Sequence, residues 1–187
     1  PAQRTPVVAA RLSRSGLGKL TTEPTEPRRP DDSASETVHV VLPNDANPLG
    51  FMLGGSVMHL IDLAGAIASH RHTRRRVVTV SVDGVEFLHP VKVGDLLILR
   101  ARVTCAFRTS LEVEVEAVSE EALTGTRRLT SRAFLTFVAI DANGRPTPIP
   151  PLQVDTPADT RRAEAARARR AERLETRGRL ASDDFSI

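Results

Sequence analysis

Residues 54–70, GGSVMHLIDLAGAIASH, limit the possible folds more than any other stretch of the chain. At helical spacing Val57, Met58, Leu60, Ile61, Ala64, Ile67 and Ala68 cover most of the circumference. A helix that is apolar nearly all round must be buried on nearly all sides. It is not a membrane span: residues 51–68 are slightly short and include Gly54, Gly55, His59, Asp62 and Gly65. Asp62 sits in the middle of this helix, and burying a carboxylate is costly unless it is paired or used.

What surrounds the helix is legible in the segments that flank it. ETVHVVLP (36–43) alternates as a short strand. After the helix come RVVTVSVDGVEF (76–87), LLILRARVTCAF (96–107), SLEVEVEAVSEE (110–121) and RRLTSRAFLTFVAI (127–140), separated by turn residues such as Pro90 and Gly94. In 110–121, Leu111, Val113, Val115 and Ala117 point one way and Glu112, Glu114 and Glu116 the other, so one face is expected to be wet. A strand, a long buried helix and four strands fit an α+β fold. In it a curved antiparallel sheet of five to six strands wraps one long central helix, with a further helix at the C-terminus. Its open edges need cover, and a second copy would give it. Cys105, in phase with Val103 and Phe107, is expected to be a small core residue rather than a reactive thiol.

The two ends differ from the middle. Residues 1–35 are rich in proline, Ser, Thr and Arg and are expected to form a disordered tail. The GLGK at 16–19 lacks the spacing of a phosphate loop. Residues 36–150 form the folded domain, and 151–187 a linker and an Arg/Ala-rich helical extension. Thr156 reads as its N-cap with Pro157 at the first helical position, Gly178 as its C-cap, and Glu175 and Arg179 as an ion pair. Its apolar stripe is thin, so it is expected to be exposed or loosely docked; a basic arm touching an acidic surface is the sharper alternative. The net charge of +3 sits largely in the ends and says little about the domain. One cysteine and no signal-peptide pattern fit a cytoplasmic protein.

The motifs are more specific than the topology. Asn47-x-x-Gly50-x-x-x-Gly54-Gly55 followed by Asp62, then Val77-Val78-Thr79-x-Ser81-Val82-Asp83, Phe87-x-x-Pro90-Val91-x-Val93-Gly94-Asp95, Arg108-Thr109-Ser110 and Phe137-Val138-Ala139 recur in the order and spacing of one family. Over residues 36–150 the chain resembles the hotdog-fold acyl-CoA thioesterases of the cytosolic acyl-CoA hydrolase branch. The resemblance implies hydrolysis of fatty acyl-CoA to free acid and CoA, with no metal and no organic cofactor. It implies a homodimer with shared active sites, assembled further into a hexamer as a trimer of dimers. It makes Asn47 and Asp62 the catalytic pair and Gly54 and Gly55 the glycines of the helix start.

The chemistry fits those residue types. Thioester hydrolysis needs an activated water, an oxyanion stabiliser and a grip on CoA. A helix N-terminus offers unpaired N–H groups, and glycine lets a carbonyl approach them, so the Gly54 and Gly55 amides are the expected oxyanion donors. Asp62 is expected to act as a general base, with attack as a nucleophile the alternative; partial desolvation suits a base working near neutrality. Asn47 would orient the water or the thioester. Arg108, Thr109 and Ser110, with Arg76 and Ser81, are the expected grip on CoA, since guanidinium forks match phosphate oxygens. Asp62 lies seven residues, or about 10 Å, past Gly55 on the same helix, too far to serve its own helix start. It is therefore expected to serve the Asn47/Gly54 site of a partner. His59, one turn earlier, reads as an interface residue, and Asp83 as structural. Acyl-CoA is the expected partner; neither a membrane nor nucleic acid is. Three rivals keep the fold and change the function: a non-hydrolysing acyl-CoA-binding regulator using the basic C-terminal arm, a dehydratase, and an assembly module with an idle site. Intact Asn47 and Asp62 argue against the first, and the lack of a well-placed catalytic His against the second.

Overall fold

A computed structural model describes residues 26–182 of the chain. A helical turn, α1 (Pro30–Ser33), leads into strand β1 (Ser35–Val40). After a 3-10 turn (Pro43–Asp45) come helix α2 (Gly54–Thr73) and strands β2 (Arg76–Phe87), β3 (Leu96–Ala106), β4 (Ser110–Glu120) and β5 (Arg127–Ile140); helix α3 (Pro157–Ser182) follows. The five strands form one sheet in the order β1-β3-β4-β5-β2, antiparallel at every pairing. Both β1 and β2 are therefore edges.

The concave face of the sheet holds α2. Val57, Ile61, Ala64 and Ala68 bury against Leu97, Leu99, Leu111, Val113, Val115, Leu135 and Phe137. Full burial of a side chain such as Phe137 or Leu135 contributes about 1.5–3 kcal/mol, so this layer carries most of the fold. The approach is close at Gly65, where a Cβ would lie 3.0 Å from two Phe137 ring atoms.

The helix is not covered all round by the described residues. Met58 is 43% exposed, Leu63 45% and Ile67 36%. This corrects the expectation of burial on nearly all sides: the sheet wraps one half of α2 and leaves an apolar stripe. The β2 edge continues that stripe with Val80 and Val82 exposed, while Val78, opposite Val138, is exposed on the other face. An unpaired strand edge beside exposed apolar side chains is a surface that calls for another chain.

The convex face is wet only in part: Glu116 stays a third exposed and pairs with Arg132. Glu112 is fully buried and Glu114 nearly so, because α3 lies across them. Arg169 grips Glu112 through two hydrogen bonds of 2.7 and 3.1 Å, and Thr104 Oγ1 adds a third at 2.7 Å. Arg162 reaches Glu114, Arg173 pairs with Asp83, and Arg102 of β3 holds Asp159 at 2.9 Å. Arg169 also stacks 3.6 Å above the Phe134 ring and Arg170 4.3 Å above Phe107. The thin Ala stripe is enough, with Ala163 and Ala166 buried. The C-terminal helix is thus a docked layer, and neither a loose helix nor a free basic arm.

Other expectations need correction in detail. Thr156 does cap α3, its Oγ1 accepting the Asp159 N–H at 3.1 Å, but the helix runs through Gly178 to Ser182. Glycine favours a helix end without enforcing one. A bulge between Val103 and Cys105 shifts the phase, so Cys105 pairs with Glu112. It is buried, but beneath α3 and not in the main core, and desolvation raises its thiol pKa. Residues 26–35 are not free: the Arg28 N–H donates to Pro151 O at 3.0 Å, and Gln153 N–H to Arg28 O at 2.9 Å. Arg28 also donates to Arg71 O, and Arg71 to Ala34 O, both at 2.6 Å. So Arg71, in the last turn of α2, fastens the N-terminal segment. The GLGK stretch, the rest of the tail and the Arg179 side chain lie outside the described residues.

Candidate active site

The loop before α2 is built around Asn47. Its backbone N–H donates to Phe51 O at 2.8 Å, and its carbonyl accepts the Gly50 N–H at 2.9 Å. Gly50 takes a positive φ of 78°, which a turn of this kind reserves for glycine. The Asn47 side-chain Oδ1 accepts the N–H groups of Leu49 and Phe51 at 2.9 and 3.2 Å. With the oxygen committed to the loop, what Asn47 offers a ligand is its amide N–H2.

The start of α2 lies beside it. Leu53 is the N-cap and supplies no side-chain cap, and no acidic residue stands in the first turn. The N–H groups of the first turn are therefore available, with the positive end of the helix dipole behind them. Asn47, Gly54, Phe51, Phe87, His89 and Thr130 line one cleft of about 420 Å³. Gly55 opens on the other side, into a cleft of about 460 Å³ with His39 and His59. One protomer thus joins Asn47 to Gly54 and turns Gly55 away from them.

Asp62 is half-buried two turns along the helix. Thr79 Oγ1 of β2 donates to its Oδ1 at 2.6 Å, a short, charge-assisted bond that fixes one carboxylate oxygen and leaves the other without a hydrogen bond from the described residues. Eight residues, or about 12 Å of helix, separate Asp62 from Gly54. Within one protomer the base and the oxyanion donors do not meet.

The residues expected to grip CoA lie elsewhere again. Arg76 begins β2 opposite Ile140, and Ser110 begins β4 opposite Val138. Arg108 and Thr109 form the β3–β4 turn, their carbonyls accepting the N–H groups of Ile149 and Ala139. This is the end of the sheet near the C-terminus of α2, away from Gly54. Ser81 is on the convex face, because a bulge between Thr79 and Ser81 reverses the alternation. It donates to Asp83 Oδ1 at 2.8 Å, and Arg173 holds the same carboxylate. Asp83 is thus anchored to α3, in line with a structural role.

Thr79 stands in the motif of residues 77–83, and its position facing α2, just before the bulge, is what marks it as part of the site. Among the described residues no group of three or more His, Cys, Asp and Glu side chains is placed to hold a metal ion. No described helix is long and apolar enough to cross a membrane.

Known proteins share this fold and these spacings. Residues 49–126 match the thioesterase superfamily model. The Bacillus subtilis protein YkhA, named an uncharacterized acyl-CoA thioester hydrolase, is 41% identical over 116 residues, covering 62% of this chain and 67% of that one. The crystal structure of an apo-hexameric acyl-CoA thioesterase superposes with a TM-score of 0.78 at 39% identity, covering 81% of this chain and 97% of that one. Acyl-CoA hydrolase from Staphylococcus aureus, solved with butyryl coenzyme A and coenzyme A, superposes at 0.70 with 33% identity, covering 82% of this chain and 98% of that one. That enzyme has also been solved with an asparagine, an aspartate and a threonine each replaced by alanine. Their intervals, 15 and 17 residues, are those from Asn47 to Asp62 and from Asp62 to Thr79. On fold, identity and coverage together, this chain belongs to the thioesterase superfamily, among the hotdog-fold acyl-CoA thioester hydrolases.

Proposed function

We propose that the protein hydrolyses fatty acyl-CoA to free acid and CoA at sites shared by two protomers. The observation that carries this reading is the Thr79-anchored Asp62, standing about 12 Å from the Asn47/Gly54 cleft it would have to serve. Gly54 lies level with Phe87, since a Cβ there would be 3.4 Å from the Phe87 ring, and Asp62 lies level with Thr79. Antiparallel pairing of β2 with a second β2, Thr79 opposite Phe87, would lay the partner's Asp62 beside this protomer's Gly54. The same pairing would bury Val80, Val82 and the exposed stripe of α2, and would carry the partner's Arg76 end toward the cleft.

The chemistry then runs in two steps. Asp62 accepts a proton from water as the water oxygen attacks the thioester carbonyl carbon. The developing oxyanion is stabilised by the Gly54 N–H and the Asn47 amide N–H, with the helix dipole behind them. Collapse breaks the C–S bond, and the protonated Asp62 returns its proton to the departing CoA sulfur. Asp62 is regenerated and no cofactor is consumed. The apolar walls of the cleft, Phe51, Met52 and Phe87, support a fatty acyl group. Arg76, Arg108, Thr109 and Ser110 are the proposed grip on CoA. The compartment that fits is the cytoplasm, where a lone buried thiol stays reduced.

The test is thiol release from a panel of acyl-CoAs by the wild type and by Asp62→Asn, which keeps the shape and removes the base. The expected loss in kcat is about 100-fold or more. An Asp62→Asn protein of full activity would remove Asp62 from the mechanism.

A further inference from the structure

The placement of α3 carries a consequence for the seam between two protomers; it rests on the shared-site reading above. The helix crosses the convex face strand by strand. Asp159 meets Arg102 of β3, Arg162 meets Glu114 of β4, Arg169 covers Phe134 of β5, and Arg173 meets Asp83 of β2. Beyond Arg173 no further strand lies among the described residues, where β2 is the edge. Yet α3 continues to Ser182, about 13 Å more at helical rise, longer than the spacing of two strands. Under this overhang lies a groove of about 680 Å³ floored by Val82, Gly84 and Phe134, with Arg173, Thr176 and Arg177 on its helical wall.

The register that brings Asp62 to the partner's Gly54 also fixes where the two-fold axis falls. Thr79 opposite Phe87 centres an antiparallel pair on Asp83, the midpoint of the two. That is the residue Arg173 holds. The two Asp83 carboxylates would then face one another across the seam, and like charges directly opposite are unfavourable unless neutralised. Arg173 of each protomer supplies the neutralising charge. Since each α3 crosses its sheet at the axis, the two helices must meet there, at ordinary helix-packing distance.

We infer that α3 is an intersubunit clasp: each helix passes over the β2–β2 seam, and its last turns fill the groove beside the α3 of a second copy of this chain. The Arg173–Asp83 pairs form the charged centre of the clasp, and the exposed Leu174 is its apolar contact. The occupant is a second copy because the groove is continuous with the edge strand and lies on the axis that the shared site requires.

Two measurements on the full chain test this. Thr176→Cys is treated with a bis-maleimide of about 10 Å span, with Ala165→Cys, in the first half of α3, as control; native mass is recorded for both. A dimer-based mass with efficient covalent pairing through position 176 and little through 165 is expected. Separately, Arg173→Met is expected to raise the dimer dissociation constant about ten-fold or more, as two symmetric charge pairs are lost per seam. Adding Asp83→Asn to Arg173→Met should restore association, because the facing carboxylates are gone. A dimer that neither cross-links through 176 nor responds to Arg173→Met overturns the clasp and leaves the shared site standing. A monomeric wild type overturns both.

Discussion

Replacing Arg169 with Met removes the charge over Glu112 and keeps a long apolar stem. Glu112 is fully buried and receives three hydrogen bonds, two of them from Arg169. Breaking one partner of a buried pair costs about 3–5 kcal/mol, because the remaining charge is left uncompensated. The Arg169 side chain is 24% exposed, so water reaches part of the site and the expected cost falls to roughly 2–3 kcal/mol. For a chain of this size that is a drop in Tm of roughly 5–10 °C. The assay is thermal unfolding by circular dichroism at fixed protomer concentration, for the wild type, Arg169→Met, Glu112→Leu and the double variant. The double variant should recover most of the loss, since a well-packed apolar pair can replace a buried ion pair at little cost. If Arg169→Met unfolds within ~0.5 kcal/mol of the wild type, as a surface substitution would, then α3 does not seal the convex face.

Two further expectations follow from single side chains. Thr79→Val removes the hydroxyl that fixes Asp62 Oδ1; steady-state kinetics should show kcat lowered about 10- to 100-fold with KM little changed, the pattern of a lost positioning contact. His72 is fully buried, its Nε2–H donates to Pro150 O at 3.0 Å, and burial pushes its pKa below the ordinary 6.5, the Pro150 bond opposing in part. The unfolded chain therefore binds this proton more readily, so the His72 contribution is complete above pH 6.5 and declines as pH falls below it. Urea unfolding at stepped pH should show that decline in the wild type and a flatter profile in His72→Gln.

Much of the fold was legible because apolar period is a local signal. Residues 76–87 and 127–140 form strands with the expected limits, and the helix from Gly54 differs by three residues at its end. What period leaves open is what covers a face. Glu112, Glu114 and Glu116 alternate as a wet face would; α3 supplies Arg162 and Arg169 from some fifty residues away and covers Glu114 and Glu112, while Glu116 stays partly exposed. Met58 and Ile67 read as buried because they are apolar, yet the described residues leave them open. Bulges are equally silent in sequence, and single bulges put Cys105 and Ser81 on the convex face. The candidate site was found through motif spacing, whereas Thr79 required the fold to show that it faces Asp62.

The central claim is that Asn47 of one protomer works with Asp62 of another. Asn47→Ala and Asp62→Asn, each inactive alone, should complement when co-expressed and assayed for thiol release. Random pairing gives half heterodimers, each with one intact shared site and one doubly altered site, so about a quarter of wild-type activity is expected. Activity no higher than that of either variant alone would mean that each protomer depends on its own pair, and the shared site would be wrong.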